Sequence, residues 1–377
     1  MNHRTPNSAL LTATLLLGWA IPSMASAPLP FQGQPDPDGT ETSEEVDEWA
    51  TLDHELRSLE SLEYSYESNA KIWGYGRVNF FVREKANSAG VNLDNARVNL
   101  TGSTGMYAYR VTAELRGGPN SGTGGTMDLQ DAWVSTPVGE KVGFTIGQFK
   151  VPFLRSGLVE ARDLLFISRT RNGIFYSRRD QGVMVNGDHG RLHWALAGQN
   201  GADGIGDAWL MTASARVNVI GEQELPWEGA YGASDLMRLT LGAGLSNDDS
   251  SSNGTALSLD AYLVHNRFSL QAEWVDYESD YSTLEPIEQR GDTSPWSVTG
   301  SYMIQPETYE VALRYDDFDD QESPLNYDRN TFTLGLNRYI QGHDLKWQLN
   351  YAWAHKGGSL DDGPHEGIVA LGLTASF

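Results

Sequence analysis

The chain has 377 residues, with 50 acidic against 27 basic side chains, a formal charge of −23 and no cysteine. Such an acidic chain is a poor partner for nucleic acid, whose phosphates select positive surface. The missing thiols exclude disulfide frameworks, thiolate nucleophiles and Cys-ligated zinc. Mean hydropathy is negative, yet this does not exclude a membrane protein, because a transmembrane β-barrel alternates its faces and averages to polar.

Residues 1–27 have the layout of an export signal: Arg4, then an apolar stretch from Leu10 to Ile21, then small residues that permit cleavage after Ala25 or Ala27. Residues 28–45 are rich in Pro, Gly, Asp, Glu and Thr and read as a flexible acidic linker. Over 46–68 the period changes. Trp49, Leu52, Leu56, Leu59 and Leu62 recur at spacings of three and four, the stripe of a short amphipathic, coiled-coil-like helix. Such a helix either docks on the rest of the chain or trimerises as a stalk. Segment 28–70 holds 12 acidic residues against one basic, a net of −11.

From 69 to 377 the helical period disappears and alternation takes over. Tyr107, Tyr109, Val111, Ala113 and Leu115 share one face, while Arg110, Thr112, Glu114 and Arg116 share the other. Phe332, Leu334 and Leu336 oppose Thr331, Thr333 and Asn337, and Leu345, Trp347, Leu349, Tyr351 and Trp353 oppose Lys346, Gln348 and Asn350. About sixteen such segments follow one another, with connections that alternate short and long, the expected pattern of an outer-membrane barrel with turns at one rim and loops at the other. Residues 220–235 break the alternation: either that turn is long or the count slips by a hairpin. A soluble sandwich also alternates, but two features favour the membrane. The second face repeatedly carries charge, at Arg77, Arg97, Arg110, Arg116, Arg314 and Lys346, as a water-filled lumen requires. Aromatics gather toward strand ends, at Tyr75, Tyr107, Trp194, Trp274, Trp296, Tyr339 and Trp353, as interfacial girdles do. The chain ends on Phe377, the terminal aromatic of an amphipathic last strand. The expected fold is all-β, a transmembrane antiparallel barrel of about sixteen strands.

The longest connection, 150–179, is the candidate constriction, a third loop folded into the lumen. Lys150, Arg155, Arg162, Arg169, Arg171, Arg178 and Arg179 outnumber Glu160 and Asp163, a net of +5 in an acidic protein. Rings and ladders of Arg and Lys make pores selective for anions or phosphate, and guanidinium groups match phosphate oxygens two at a time. The anion pathway is therefore assigned to Lys150, Arg155, Arg162, Arg169 and Arg171 by loop position, and to Arg97, Arg110, Arg116 and Lys346 by alternation. The bland alternative is that these cations pair with lumen carboxylates. Segment 71–180 holds 15 basic and 9 acidic residues, a net of +6, whereas 181–377 holds 10 and 29, a net of −19. Much of that acid lies in expected outer loops, where it is either solvated or binds divalent cations shared with lipopolysaccharide.

Gly147-Gln148-Phe149-Lys150-Val151-Pro152-Phe153 closes one strand, Arg179-Asp180-Gln181-Gly182 opens the next, and Leu225-Pro226-Trp227 precedes the ninth. In these motifs, over about 71–377, the chain resembles the phosphate-selective porin O/P family of Gram-negative outer membranes. The resemblance implies a sixteen-stranded homotrimeric porin whose inward third loop carries basic residues that guide phosphate or polyphosphate, with a long stretch near 220–235. Partners would be phosphate or other small anions and outer-membrane lipid. A general or small-organic-solute porin of the same fold is the alternative. An enzyme is not expected: carboxylate pairs such as Asp316-Asp317 arise by chance in so acidic a chain, and no nucleophile elbow, His-Glu-x-x-His or phosphate loop occurs. No cofactor or metal is expected either.

Overall fold

The computed structural model describes residues 69–84, 88–116, 126–201, 209–221, 224–249, 254–277, 294–318, 329–356 and 365–377. The expected signal, linker and 46–68 helix lie outside them, as do the acidic stretches 285–292 and 361–362. Sixteen strands follow in order: β1 (Asn69–Arg83), β2 (Ser88–Thr104), β3 (Tyr107–Arg116), β4 (Thr126–Pro137), β5 (Val142–Lys150), β6 (Arg179–His189), β7 (Leu192–Gln199) and β8 (Leu210–Ile220), then β9 (Arg238–Asp248), β10 (Gly254–His265), β11 (Phe268–Tyr277), β12 (Trp296–Gln305), β13 (Tyr309–Phe318), β14 (Arg329–Gln341), β15 (Leu345–Lys356) and β16 (His365–Ser376). Each pairs antiparallel with its sequence neighbours, and β1 pairs with β16 from Tyr75↔Ser376 to Arg83↔Ile368, which closes the barrel. Closure removes every strand edge, the condition for sheet to cross a bilayer.

The side-chain pattern is inverted relative to a soluble protein. Phe80, Leu241, Leu245, Leu334 and Leu371 are each between 42% and 50% exposed, while Asn99, Asn337 and Lys346 are at 0%. Burying one such aliphatic side chain is worth roughly 1.5–3 kcal/mol, so an outer face of this composition needs lipid as its solvent. Among the described residues no helix is long and apolar enough to span a membrane; the strands do the crossing.

The turns at one rim are tight, and several are closed by a left-handed residue: Gly105, Gly190, Asn266, Glu307 and Gly342. The β8–β9 connection at this rim is long, so the strand count needs no correction. Its described part turns inward: Leu225 packs with Tyr262 and Val264, and Ala230 with Met303 and Tyr339. Two of the aromatics expected in the girdles also face inward. Tyr75 and Tyr339 are 1% and 3% exposed, because each packs against an inward segment, whereas Tyr107 and Trp296 stay on the outer face.

The β5–β6 connection supplies ten of the 25 buried apolar residues among those described. It contains α1 (Arg155–Leu158), a 3-10 turn at Ala161–Asp163 and α2 (Arg171–Phe175). Val151, Phe153, Leu154 and Tyr176 pack on Leu210, Ala256, Val275 and Tyr277; Val159, Ala161 and Leu164 pack on Tyr75; Leu165 and Phe166 pack on Ala312. The loop thus lies on the polar inner face of strands far from its own base.

Candidate functional site

The cations of this loop mostly capture backbone carbonyls. Lys150, last residue of β5, donates to the carbonyls of Gly157, Leu158 and Val159 at 2.9–3.0 Å. Arg169 donates to Ser156 O and Val159 O, and its own burial lowers it to about 10. Across the lumen, Lys346 donates to Leu164 O at 2.6 Å, Asn337 and Gln348 to Leu165 O, Arg77 to Ile167 O and Arg314 to Ser168 O. Arg155 is 3% exposed. It donates to Gln271, to Leu225 O and to Trp227 O, meets Glu224 at 3.3 Å, and stands 3.8 Å from the centre of the Tyr262 ring. One guanidinium therefore clasps the loop, the wall and the β8–β9 segment together.

These contacts account for the sequence motifs. Gly147 has φ +129, and a Cβ there would run into the Ala132 carbonyl, so the strand accepts only glycine at that point. Lys150 is the brace just described. Arg179 gives a two-pronged pair to Asp131, Nε at 3.0 Å and Nη2 at 3.3 Å. The Leu225-Pro226-Trp227 backbone supplies two of the carbonyls held by Arg155. At Gly335 and Gly372 a Cβ would come within 2.9 Å of Phe166 and Ile167; the wall is bare there so that the loop can approach.

The inner face is closed on one side and open on the other. Under the loop and the β8–β9 segment, Asn337, Lys346, Gln348, Glu310, Glu273 and Ser301 are all 4% exposed or less. Toward β2–β6 the loop leaves a cavity of about 420 Å³, bordered by Asp94, Asn95, Arg97, Glu114, Gln148 and Arg179 among others. Here Arg97 pairs with Glu114 at 3.0 Å, and its Nη1 lies 3.5 Å from Glu160 Oε2. Arg110 pairs with Glu160 Oε1 at 2.8 Å and approaches Asp131 at 3.7 Å. Two guanidinium groups approach the centre of the Trp73 ring, Arg162 at 4.6 Å and Arg110 at 5.7 Å. Burial alone would raise the Glu160 carboxyl, but Lys150, Arg110 and Arg97 outweigh it and hold it near 2. At the tip of the loop, Arg162 meets Asp344 at 2.9 Å, and burial pushes Asp163 up to about 6 despite Arg162 and Lys346. Its neighbour His343 is held well below its usual range by burial and by Lys346.

Of the sequence-assigned residues, Arg97 and Arg110 meet on the open side with Glu160, and Arg162 lies at the loop tip. Lys150, Arg169 and Lys346 bind loop backbone instead, and Arg155 binds the backbone of the β8–β9 segment. Arg171 opens α2, its N–H donating to Asp316 at 3.3 Å. Arg116 closes β3, and its side chain lies outside the described part. Sequence reasoning had no means of finding Arg179 as a partner of Asp131 or Glu160 as a partner of Arg97 and Arg110, since these pairs join positions 48 to 63 residues apart.

A sixteen-stranded closed barrel with an inner-face loop of this kind defines a porin. The family profile described as phosphate-selective porin O and P matches residues 67–216 and 231–363, and the chain belongs to that family. No curated protein matches it in sequence. Solved structures share the fold at low identity. The outer membrane channel DcaP of Acinetobacter baumannii is 12% identical with a TM-score of 0.58, over 82% of this chain and 97% of that one. The trimer form of OmpT, an outer membrane protein of Vibrio cholerae, is 11% identical with a TM-score of 0.54, over 82% and 99%. OpdK of Pseudomonas aeruginosa with vanillate is 11% identical with a TM-score of 0.50, over 82% and 98%.

Proposed function

We propose that this porin is an outer-membrane diffusion channel, assembled as a homotrimer and exported by its N-terminal signal, whose water-filled passage runs between the third loop and the β2–β6 wall and prefers anions. One observation carries this reading: the cavity left beside the loop is bordered by Arg97 and Arg179, with Arg110 next to them across Glu160 and Asp131, whereas the inner face under the loop is packed shut. An anion entering there would exchange part of its hydration for guanidinium donors, each weak enough to let it go. Arg97 and Arg110 are the residues that would meet it, with Arg162 further along. Lys150, Arg155, Arg169 and Lys346 would act earlier in the chain of cause, by fixing the loop that shapes the passage. The family supports a channel rather than an enzyme, and the OmpT trimer supports threefold assembly.

Phosphate is one candidate solute. A second reading, small organic carboxylates, is favoured by the pairing of each open-side arginine with a carboxylate, which leaves little of the positive surplus that a multiply charged ion would exploit. Planar-bilayer recording separates them. Under a potassium chloride gradient the reversal potential should lie toward the chloride limit, and closures should come in three equal steps. Inorganic phosphate that reduces chloride current at low concentration supports the first solute; benzoate that does so while phosphate does not supports the second. Cation preference would refute the anion reading.

A further inference from the structure

Glu160 stands apart from the other carboxylates of the open side. Glu114 and Asp131 belong to the wall strands β3 and β4, as do the arginines that pair with them on β2, β3 and β6. Glu160 comes from the loop, and its backbone is held in place rather than left to wander. The carbonyls of the three preceding residues accept from Lys150, and Val159 O accepts from Arg169 as well. So fixed, the side chain reaches across to the wall: Oε1 accepts from Arg110 Nη2 at 2.8 Å, while Oε2 stops 3.5 Å from Arg97 Nη1. Neither of those last two atoms has a hydrogen-bond partner among the described residues. One half of a bidentate carboxylate site is filled and the other half is short of contact. Two guanidinium groups that converge on one carboxylate are the donors a free oxyanion would use. The charge arithmetic of the cluster turns on the same residue. Arg97, Arg110 and Arg179 face Glu114, Asp131 and Glu160, Arg178 and Asp94 also border the cavity, and without Glu160 the guanidinium groups outnumber the carboxylates.

We propose that Glu160 is the specificity-determining residue of the passage: a carboxylate tethered to the loop that occupies an oxyanion subsite on Arg97 and Arg110, so that a permeating carboxylate or phosphate group must compete with it. The inference rests on the passage lying between the loop and the β2–β6 wall. Glu160 sets how strongly the channel prefers anions by lowering the affinity of the arginines, and in doing so keeps the subsite weak enough to release what it binds.

The test uses the purified full-length channel and Glu160→Gln, with Glu140→Gln, an exposed residue of the β4–β5 turn, as control. Removing a charge a few ångströms from two cations is expected to lower the half-blocking concentration of a competing oxyanion by about tenfold and to move the reversal potential toward the chloride limit; E140Q leaves both in place. Inorganic phosphate and acetate are titrated separately. A gain for phosphate alone assigns the subsite to phosphoryl oxyanions, a gain for acetate alone assigns it to carboxylates, and either supports the tether. If both half-blocking concentrations and the reversal potential stay at wild-type values in E160Q, or if E140Q shifts them equally, Glu160 has no such role. Should E160Q fail to form channels, Glu160→Ala carries the same expectation without placing an amide between two guanidinium groups. The sign of the wild-type preference tests the proposed anion selectivity, whereas the difference between variant and wild type tests Glu160, so the two fail separately.

Discussion

Two acidic residues three positions apart respond to pH in opposite directions, because cations outweigh burial at one and burial outweighs cations at the other. Glu160 is held near 2, below its ordinary value, so the stability it contributes is full above about pH 4.5 and is lost as pH falls toward 2. Asp163 is raised to about 6, so the folded loop takes up its proton more readily than the unfolded chain does. Stability from Asp163 therefore rises as pH falls through 6 and saturates near its ordinary value of about 4. Of these two residues, only Asp163 changes between pH 7.5 and 5. Amides of the loop tip should then exchange more slowly at pH 5 than at pH 7.5 once intrinsic exchange rates are factored out. Asp163→Asn should remove that difference and leave the variant as protected at pH 7.5 as the wild type is at pH 5. A pH dependence that survives in D163N would place the titrating group elsewhere.

At the scale of the element, the third loop is held less by its own short helices than by donors from the wall. From the loop's own side Arg155 answers them, joining α1, β11 and the β8–β9 segment through one buried charge. Arg155→Gln leaves Glu224 with Arg216, at 2.9 Å, but deprives the buried Leu225 carbonyl of its donor and Trp227 O of one of two, the other being the Tyr262 hydroxyl. The cost should be about 3 kcal/mol, read as roughly a hundredfold loss of hydrogen-exchange protection in 151–178 and in 224–231 together. Loss in only one of the two segments would show that Arg155 does not couple them. Gly335→Val should loosen the same loop by pushing Phe166 off the wall. The loop's existence and its basic character were legible in the chain, because a connection that long with seven cations is conspicuous between short strands. The division of labour among those cations was not. Lys150, Arg155 and Arg169 differ from Arg97 and Arg110 only in what lies opposite them, and β-barrel closure brings those partners from 69 to 116 residues away for Arg155 alone. Alternation placed Lys346 correctly on the inner face, yet could not say that Leu164 O would meet it there.

For the whole molecule, the −23 of the sequence divides by location. Part of the acid in the second half lies inside the barrel rather than in outer loops: Glu310 accepts from the Ala230 N–H, Ser301 and Tyr339, and Asp260 pairs with Arg216 at 2.8 Å. These carboxylates hold the inward segments and are shut away from solvent, so their charge does not reach the passage at full strength. On the β2–β6 side Arg97, Glu114, Asp131 and Arg179 are buried too, but Arg110 and Glu160 keep about a fifth of their side-chain surface exposed, and their charge does. The barrel is thus asymmetric about its axis, and selectivity should follow that asymmetry. Arg110→Gln removes one charge on the open side and should shift the reversal potential away from the chloride limit. Glu310→Gln removes one charge on the packed side, keeps an oxygen for the Ala230 N–H, and should leave the reversal potential where it is. Equal and opposite shifts from the two variants would mean that solutes sample the whole cross-section, and that the loop narrows the lumen without dividing it.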